Sequence, residues 1–80
     1  MQSEGDAEDP VALAAERYGL SKRETEVFEM LARGRNAKYI GERLYISEHT
    51  VRSHIYRIYQ KMDVHSQQEL LDAIDNEKRL

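Results

Sequence analysis

Residues 36–62 read NAKYIGERLYISEHTVRSHIYRIYQKM, and this stretch decides the fold of the chain. Small or apolar residues at positions 37, 40, 41 and 44 share one face of a helix over 37–44. Apolar residues at positions 51, 55, 58 and 62 share one face of a longer helix that opens at Ser47 and Glu48. Only Tyr45 and Ile46 separate the two, so the chain turns tightly there. Such a pair predicts a helix-turn-helix.

Residues within and just before these two helices support the helix-turn-helix prediction. Asn36 and Ser47 stand where their side-chain oxygens can accept hydrogen bonds from free backbone N–H groups of the first turn. Gly41 lies within the first helix, where glycine costs about 1 kcal/mol relative to alanine. We interpret Gly41 as the point where two helix backbones cross closely. The alternative is a mildly unstable surface helix.

Two further helices flank the pair. The Ser-x-x-Glu spacing at Ser21 is that of a capping box and predicts a helix over 20–33, which Gly34 ends. The same spacing at Ser66 opens a last helix, which frays over 77–80. The apolar residues of the last helix are Leu70, Leu71, Ala73 and Ile74. Because no alternating β-branched run occurs, we predict an all-α domain of four helices over residues 20–76.

The N-terminal part of the chain differs in character. Residues 1–19 form an acidic, flexible tail or linker with no periodicity at its start. Within it, residues 10–18 have proline at the first helical position and Gly19 just after the end, which permits a short helix. That helix either packs on the domain or connects it to another part of a longer protein.

The composition excludes several classes of protein. There is no cysteine, and hence no disulfide or thiolate metal site. No apolar run approaches the roughly 20 residues that span a bilayer, and the N-terminus has no signal-peptide pattern. We therefore expect a soluble, cytoplasmic domain without membrane contact.

Catalytic and metal-binding signals are missing as well. His49, His54 and His65 do not have metal-ligand spacing; we expect His54 to bond a backbone group or a phosphate. There is no glycine-rich phosphate loop, nucleophile elbow or acid pair. The sequence therefore predicts that the chain is not an enzyme and that this domain binds no cofactor, metal or small molecule.

Charge is distributed unevenly along the chain. The formal net charge is -3, yet residues 20–64 hold nine Lys/Arg against six Asp/Glu. Within 33–61 the ratio is seven bases to two acids. Local positive charge, rather than the overall value, governs attraction to a polyanion. The excess of positive charge is therefore concentrated on the helix pair.

The second helix of the pair presents a distinctive outward strip. If its apolar face is buried, the opposite side shows hydroxyls, an amide and imidazole, flanked by Arg52 and Arg57, with no acid beyond the opening Glu48. These groups suit base edges and phosphate oxygens. The alternative is a solvated basic face without a ligand. The strip residues are His49, Ser53, Tyr56 and Gln60. Of the other tyrosines, we expect Tyr39, Tyr45 and Tyr59 to contribute to the core.

The sequence resembles the C-terminal DNA-binding domain of LuxR-type (GerE-like) transcription regulators. The resemblance covers residues 20–76. The matching residues are Leu20, Ser21, Arg23, Glu24, Glu26, Val27, Leu31, Ala32, Gly34, Lys38, Ile40, Leu44, Ile46, Ser47, Thr50, Val51, His54, Lys61, Met62, Val64 and Ser66. In that family the helix that begins near Glu48 enters the major groove, and the fourth helix commonly mediates dimerisation.

The resemblance implies residue roles and partners. It implies double-stranded DNA as ligand, helix 48–62 as the recognition helix, and a homodimer. The implied base-reading residues are Arg52, Ser53 and Tyr56, to which we add His49 from its place beside the strip. The implied phosphate contacts are Lys38, Thr50, Arg57 and Lys61. The implied dimer contacts lie among Leu71, Ala73 and Ile74.

Several positions depart from the family pattern, and the sequence leaves two rival interpretations open. Tyr39 stands where an acid is common, and Gly41 where alanine is usual. One rival is a domain like region four of a sigma factor, which contacts promoter DNA and RNA polymerase. The other is a protein-interaction module without nucleic acid, which the acidic ends favour.

Overall fold

The computed structural model describes residues 9–78, and the side chains of residues 9–76. The described chain folds as five helices without a strand, so the all-α prediction is confirmed. The helices are α1 (Pro10–Arg17), α2 (Lys22–Ala32), α3 (Ala37–Leu44), α4 (Glu48–Met62) and α5 (Gln67–Lys78). The predicted flexible segment 1–8 and the last two residues lie outside the described part.

The core lies where α2, α3, α4 and α5 meet. Its largest fully buried side chains come from all four helices: Phe28, Ile40, Ile58, Leu70, Val27 and Val51. Val51, Ile58 and Met62 of the predicted α4 stripe are buried, whereas Ile55 is half-buried at its edge. The 3.6-residue period therefore placed the inward face of α4 correctly.

The predicted caps form, with one difference. Ser21 and Glu24 make a complete capping box, and Asn36 and Ser47 accept hydrogen bonds at the starts of α3 and α4. At α5 only half of the second box forms: Ser66 Oγ accepts from the N–H of Glu69. The Glu69 carboxylate accepts instead from the N–H of His65, one residue before the cap.

The turn between α3 and α4 is built around a residue in a left-handed conformation. Tyr45 ends α3 with φ 60° and ψ 40°, and its N–H donates to the Gly41 carbonyl. The side chain is 93% exposed, so the expectation that Tyr45 contributes to the core was wrong. A left-handed conformation is uncommon for a residue other than glycine and departs from the helical repeat, so periodicity alone does not predict the direction of this side chain. Tyr59 is half-buried and packs against the core as expected, whereas the half-buried Tyr39 lies beside two arginines and not among the residues packed against the core.

The short helix α1 packs on the body of the domain. Ala14 is fully buried and Ala15 is 7% exposed, and α1 lies against α5 and α2. Its ends are set by Asp9, which accepts from the N–H of Val11, and by Gly19, which has φ 67°. Small side chains on its inner face let α1 approach closely. The sequence left open whether this short helix packs on the domain or connects it to another part of a longer protein, and in the structure α1 packs on the domain.

Candidate nucleic-acid interface

The outward strip of α4 is a continuous exposed surface. Six residues are exposed and together line one shallow groove along the helix: His49, Arg52, Ser53, Tyr56, Arg57 and Gln60. They are the four strip residues and the two flanking arginines that the helical period predicted. None of them is acidic, so the groove presents hydrogen-bond donors and positive charge.

Contacts within the strip hold several of these side chains along the helix. The Arg52 guanidinium pairs with the Glu48 carboxylate one turn earlier. Gln60 Nε2 donates to the Tyr56 hydroxyl at 3.1 Å. Glu48 therefore occupies Arg52 in the free domain, and a guanine that binds Arg52 must compete with that carboxylate.

The implied phosphate contacts on α3 and at the start of α4 are accessible. Lys38 and Arg57 are exposed, and neither is ion-paired within residues 9–76. Thr50 is also exposed, but its hydroxyl accepts from Ser47 Oγ at 2.9 Å. Its remaining donor capacity is free to serve a phosphate oxygen.

Lys61 pairs with a carboxylate of its own chain, and the phosphate contact that the resemblance implied stays a prediction. Its ammonium lies 2.7 Å from Glu24 Oε1 and 3.2 Å from the Gly19 carbonyl. Glu24 is 5% exposed, and its Oε1 also accepts from the N–H of Ser21. The hydrogen bond from Lys61, followed by that from Ser21, holds the pKa of the Glu24 carboxyl below its ordinary value, against the opposing effect of burial. Lys61 thus ties the end of α4 to the start of α2.

His54 lies half-buried on α4 at the boundary of the strip. Its Nδ1 is buried and makes no hydrogen bond within the described part of the chain. The expected backbone bond is therefore not formed by Nδ1. A phosphate contact through His54 stays a prediction.

The three predicted dimer residues do not share one outward face. Ile74 is 6% exposed and packs in the core of its own chain. Leu71 and Ala73 are half-buried, and at 3.6 residues per turn they lie about 160° apart on α5. The outer face between them is polar: Gln68, Glu69, Asp72, Asp75 and Asn76 are exposed.

A second basic cluster was missed by the sequence reasoning. The guanidinium of Arg35 lies 4.7 Å from the centre of the Tyr39 ring, and that of Arg43 lies 6.0 Å from it. Arg33 and Met30 line the same small depression. The available signal was Tyr39, an aromatic residue at a position where an acid is common. We call Arg33, Arg35, Tyr39 and Arg43 the arginine–tyrosine cluster.

The described residues also bear on metal binding and membrane contact. No group of three or more His, Cys, Asp or Glu side chains within residues 9–76 could hold a metal ion. No helix in the described part of the chain has the length and apolar character needed to cross a membrane.

The chain is similar to known bacterial regulators. It is 43% identical to the transcriptional regulatory protein DegU of Brevibacillus brevis over 71% of the chain and 25% of that protein. It is 51% identical to the spore germination protein GerE of Bacillus subtilis (strain 168) over 56% of the chain and 61% of that protein. For the oxygen regulatory protein NreC of Staphylococcus carnosus (strain TM300) the identity is 39%, over 76% of the chain and 28% of that protein.

The chain thus spans about a quarter of DegU and NreC and less than two thirds of GerE. No solved structure gave a significant match. A family model, described as bacterial regulatory proteins of the luxR family, matches residues 18–74, which include the whole helix-turn-helix. Because this match covers more than half of the sequence, the chain belongs to the luxR family and carries its DNA-binding helix-turn-helix of transcription regulation.

Proposed function

We propose that this domain binds double-stranded DNA in a sequence-specific manner, with α4 in the major groove, as the output domain of a cytoplasmic bacterial transcription regulator. The observation that carries the proposal is the exposed strip on α4, which combines two arginines with neutral donors and contains no acid. Arg52 pairs with Glu48 at the opening of α4, and beyond that pair the outward side of the helix carries no carboxylate with which a solvated helix would balance its bases. The major groove accepts one helix and offers each base pair a distinct pattern of donors and acceptors.

The proposed residue roles are those that the family resemblance implies, compared with the positions of the side chains on this surface. Ser53 and Tyr56 in the strip and Arg52 at one flank are proposed to read bases, together with His49 at the start of the strip. Arg57 at the other flank is proposed to contact phosphates, as are Lys38 at the start of α3 and Thr50 in the first turn of α4. Lys61 also remains a proposed phosphate contact, since its ammonium has two acceptors within the chain and a third N–H donor left.

Arg52→Ala and Arg57→Ala are expected to weaken binding in different ways. Arg52→Ala should lower affinity for the selected operator by about 1–3 kcal/mol and relax specificity at one position, because it removes a bidentate hydrogen bond to a base. Arg57→Ala should weaken binding to operator and random duplex alike and flatten the salt dependence by about one unit of slope. Fluorescence-anisotropy titrations on both duplexes between about 50 and 200 mM salt measure these effects.

Arg23→Ala is the matched control for these variants, because it removes an exposed arginine that is ion-paired with Glu26 on α2. It should leave both titrations close to wild type. Equal effects of Arg52→Ala on operator and random DNA would contradict its base-reading role. A wild-type domain that ignores DNA at low salt would contradict the whole proposal and favour a protein-interaction module.

The proposed assembly on DNA is a homodimer with contacts from α5. Leu71 is its apolar candidate, because Ile74 is committed to the core and the rest of the outer face is polar. A two-fold operator requires two copies one helical turn apart on the duplex. With Glu69 and Asp72 beside the contact, the interaction is expected to be weak without DNA and stronger at higher salt.

Leu71→Glu is expected to lower affinity for a two-fold operator at least tenfold while sparing an isolated half-site, because the added charge opposes only the contact between copies. Leu13→Glu makes the same change at an exposed leucine of α1 and is the control, with little effect on either duplex. Equal loss on full site and half-site would show damage to the fold, and no loss would exclude Leu71 from the interface.

A further inference from the structure

The arginine–tyrosine cluster concentrates positive charge without carboxylate partners. Arg35 and Arg43 are exposed, and neither makes an ion pair within residues 9–76. Their guanidinium groups are instead held beside the ring of Tyr39. An aromatic face attracts a guanidinium but leaves its N–H edge free to donate. The cluster is therefore arranged to accept an anion.

The size of the depression limits what that anion can be. The cavity lined by Met30, Arg33, Arg35, Tyr39 and Arg43 holds about 60 Å³. Pockets for organic ligands are several times larger, at about 300–1,000 Å³. A single oxyanion group fits, and the fork geometry of arginine matches a phosphate.

Arg35 is held rigidly by the backbone around it. Gly34, with φ 82°, turns the chain back at the end of α2, and the N–H of Arg35 donates to the Met30 carbonyl at 3.1 Å. Its own carbonyl accepts from Gln67 Nε2 on α5, also at 3.1 Å. Contacts from two helices fix this backbone, so an anion that binds Arg35 orders little further chain.

A groove connects the cluster to the recognition strip. It holds about 460 Å³, and Arg35, Arg52 and Tyr56 are among the residues that line it. Asn36 and Ala37, at the N-terminus of α3, line it as well. A helix N-terminus favours negative charge, so this end of α3 adds to the attraction of the two arginines for an anion.

We propose that the arginine–tyrosine cluster binds backbone phosphates of the DNA strand that runs alongside the groove occupied by α4. This inference rests on the proposed function, since it extends the DNA contact beyond α4. Arg35 is the inner contact and Arg43 the outer one. Arg33 has a lesser part, because it also borders a depression that contains Asp9 and Glu29. Such contacts read no base and add affinity for any duplex.

The test is the salt dependence of binding to a random-sequence duplex. Arg35→Ala/Arg43→Ala should flatten the slope of log affinity against log salt by about 0.9 for each phosphate that is no longer neutralised, or nearly 2 in all. Lys22→Ala/Arg23→Ala removes the same charge from exposed positions at the start of α2 and should change the slope little. Circular dichroism checks that each variant folds.

Variants of Tyr39 test the cluster without removing an arginine. Tyr39→Phe keeps the ring and should bind as wild type. Tyr39→Glu introduces the acid that is common in relatives, should neutralise the neighbouring guanidinium groups, and should flatten the slope by about one unit. A loss with Tyr39→Phe equal to that with Tyr39→Glu would contradict the role of the ring.

The failure of the cluster proposal can be distinguished from the failure of the proposed function. If the wild type binds DNA and Arg52→Ala/Arg57→Ala weakens it, but Arg35→Ala/Arg43→Ala matches its control, then the proposed function stands and the cluster proposal is overturned. In that case an acidic protein surface would be the alternative partner of the cluster. If the wild type binds no duplex at low salt, the proposed function itself fails.

Discussion

Gly41→Val is expected to lower the free energy of unfolding by about 3 kcal/mol, at the upper end of overpacking costs in a closed core. A Cβ atom on Gly41 would lie 2.8 Å from the backbone carbonyl oxygen of Ile46 and 3.5 Å from Val51 Cγ2. The carbonyl belongs to the turn, and the N–H of the same Ile46 donates to the Gly41 carbonyl at 3.1 Å. Neither α3 nor the turn can yield without breaking that bond.

Gly41→Ala should cost less, because its Cβ meets the same carbonyl oxygen but adds no γ-methyl groups, and the higher helix propensity of alanine returns about 1 kcal/mol. Glu42→Val is the control: it places the same β-branched residue at an exposed position of α3, where propensity alone costs less than about 1 kcal/mol. Urea unfolding followed by circular dichroism gives the midpoints. If Gly41→Val unfolded at the midpoint of Glu42→Val, the helices would not be in close contact at Gly41.

The second large effect is expected at the pair between Glu24 and Lys61. Lys61→Met should lower the free energy of unfolding by about 2 kcal/mol near pH 7. Breaking a fully buried pair costs about 3–5 kcal/mol, and the value is lower here because the Lys61 side chain is 39% exposed. The variant leaves the Glu24 carboxylate nearly buried, with the N–H of Ser21 as its remaining donor. Arg23→Met, which breaks an exposed pair with Glu26, should cost less than about 0.5 kcal/mol.

The pH dependence gives an independent check on this pair. The pKa of Glu24 is below its usual 4.5 in the folded chain, chiefly because of the hydrogen bond from Lys61. A lowered folded pKa contributes stability that is present above 4.5 and is lost as the pH falls through the folded value. The difference between wild type and Lys61→Met should therefore shrink as the pH falls below 4.5. A difference that stays constant down to strongly acidic pH would mean that packing of the Lys61 stem, not its charge, stabilises the fold.

The helix pair could be predicted closely because its signals are local. The bounds 37–44 and 48–62 follow from a repeat of apolar residues and from Asn36 and Ser47 as caps, all within a few residues of each other. The outward strip on α4 follows in the same way, since the buried face of a helix defines the opposite one. Gly41 does lie in a close backbone contact, as interpreted, but its nearest neighbour is the Ile46 carbonyl oxygen of the turn, ahead of the first residue of α4.

Other features depend on residues that are far apart in the sequence. Lys61 meets Glu24 across 37 positions, and Gln67 meets Arg35 across 32, and no periodicity reports such contacts. The exposure of Tyr45 depends on one left-handed dihedral in the turn. The burial of Ile74 depends on the packing of α5 into the core, beside α1, whose docking the sequence left open.

The sequence by itself determined the fold class, the helix-turn-helix, the family and the residues of the recognition strip. These features depend on backbone hydrogen bonding, side-chain period and caps, which act over one or two helical turns. Only the tertiary structure decided which polar and charged side chains are joined between helices. It paired Lys61 of α4 with Glu24 of α2 and joined Gln67 of α5 to the backbone of Arg35. Charge pairing depends on distances of a few ångströms between helices, and those distances exist only after the core has packed.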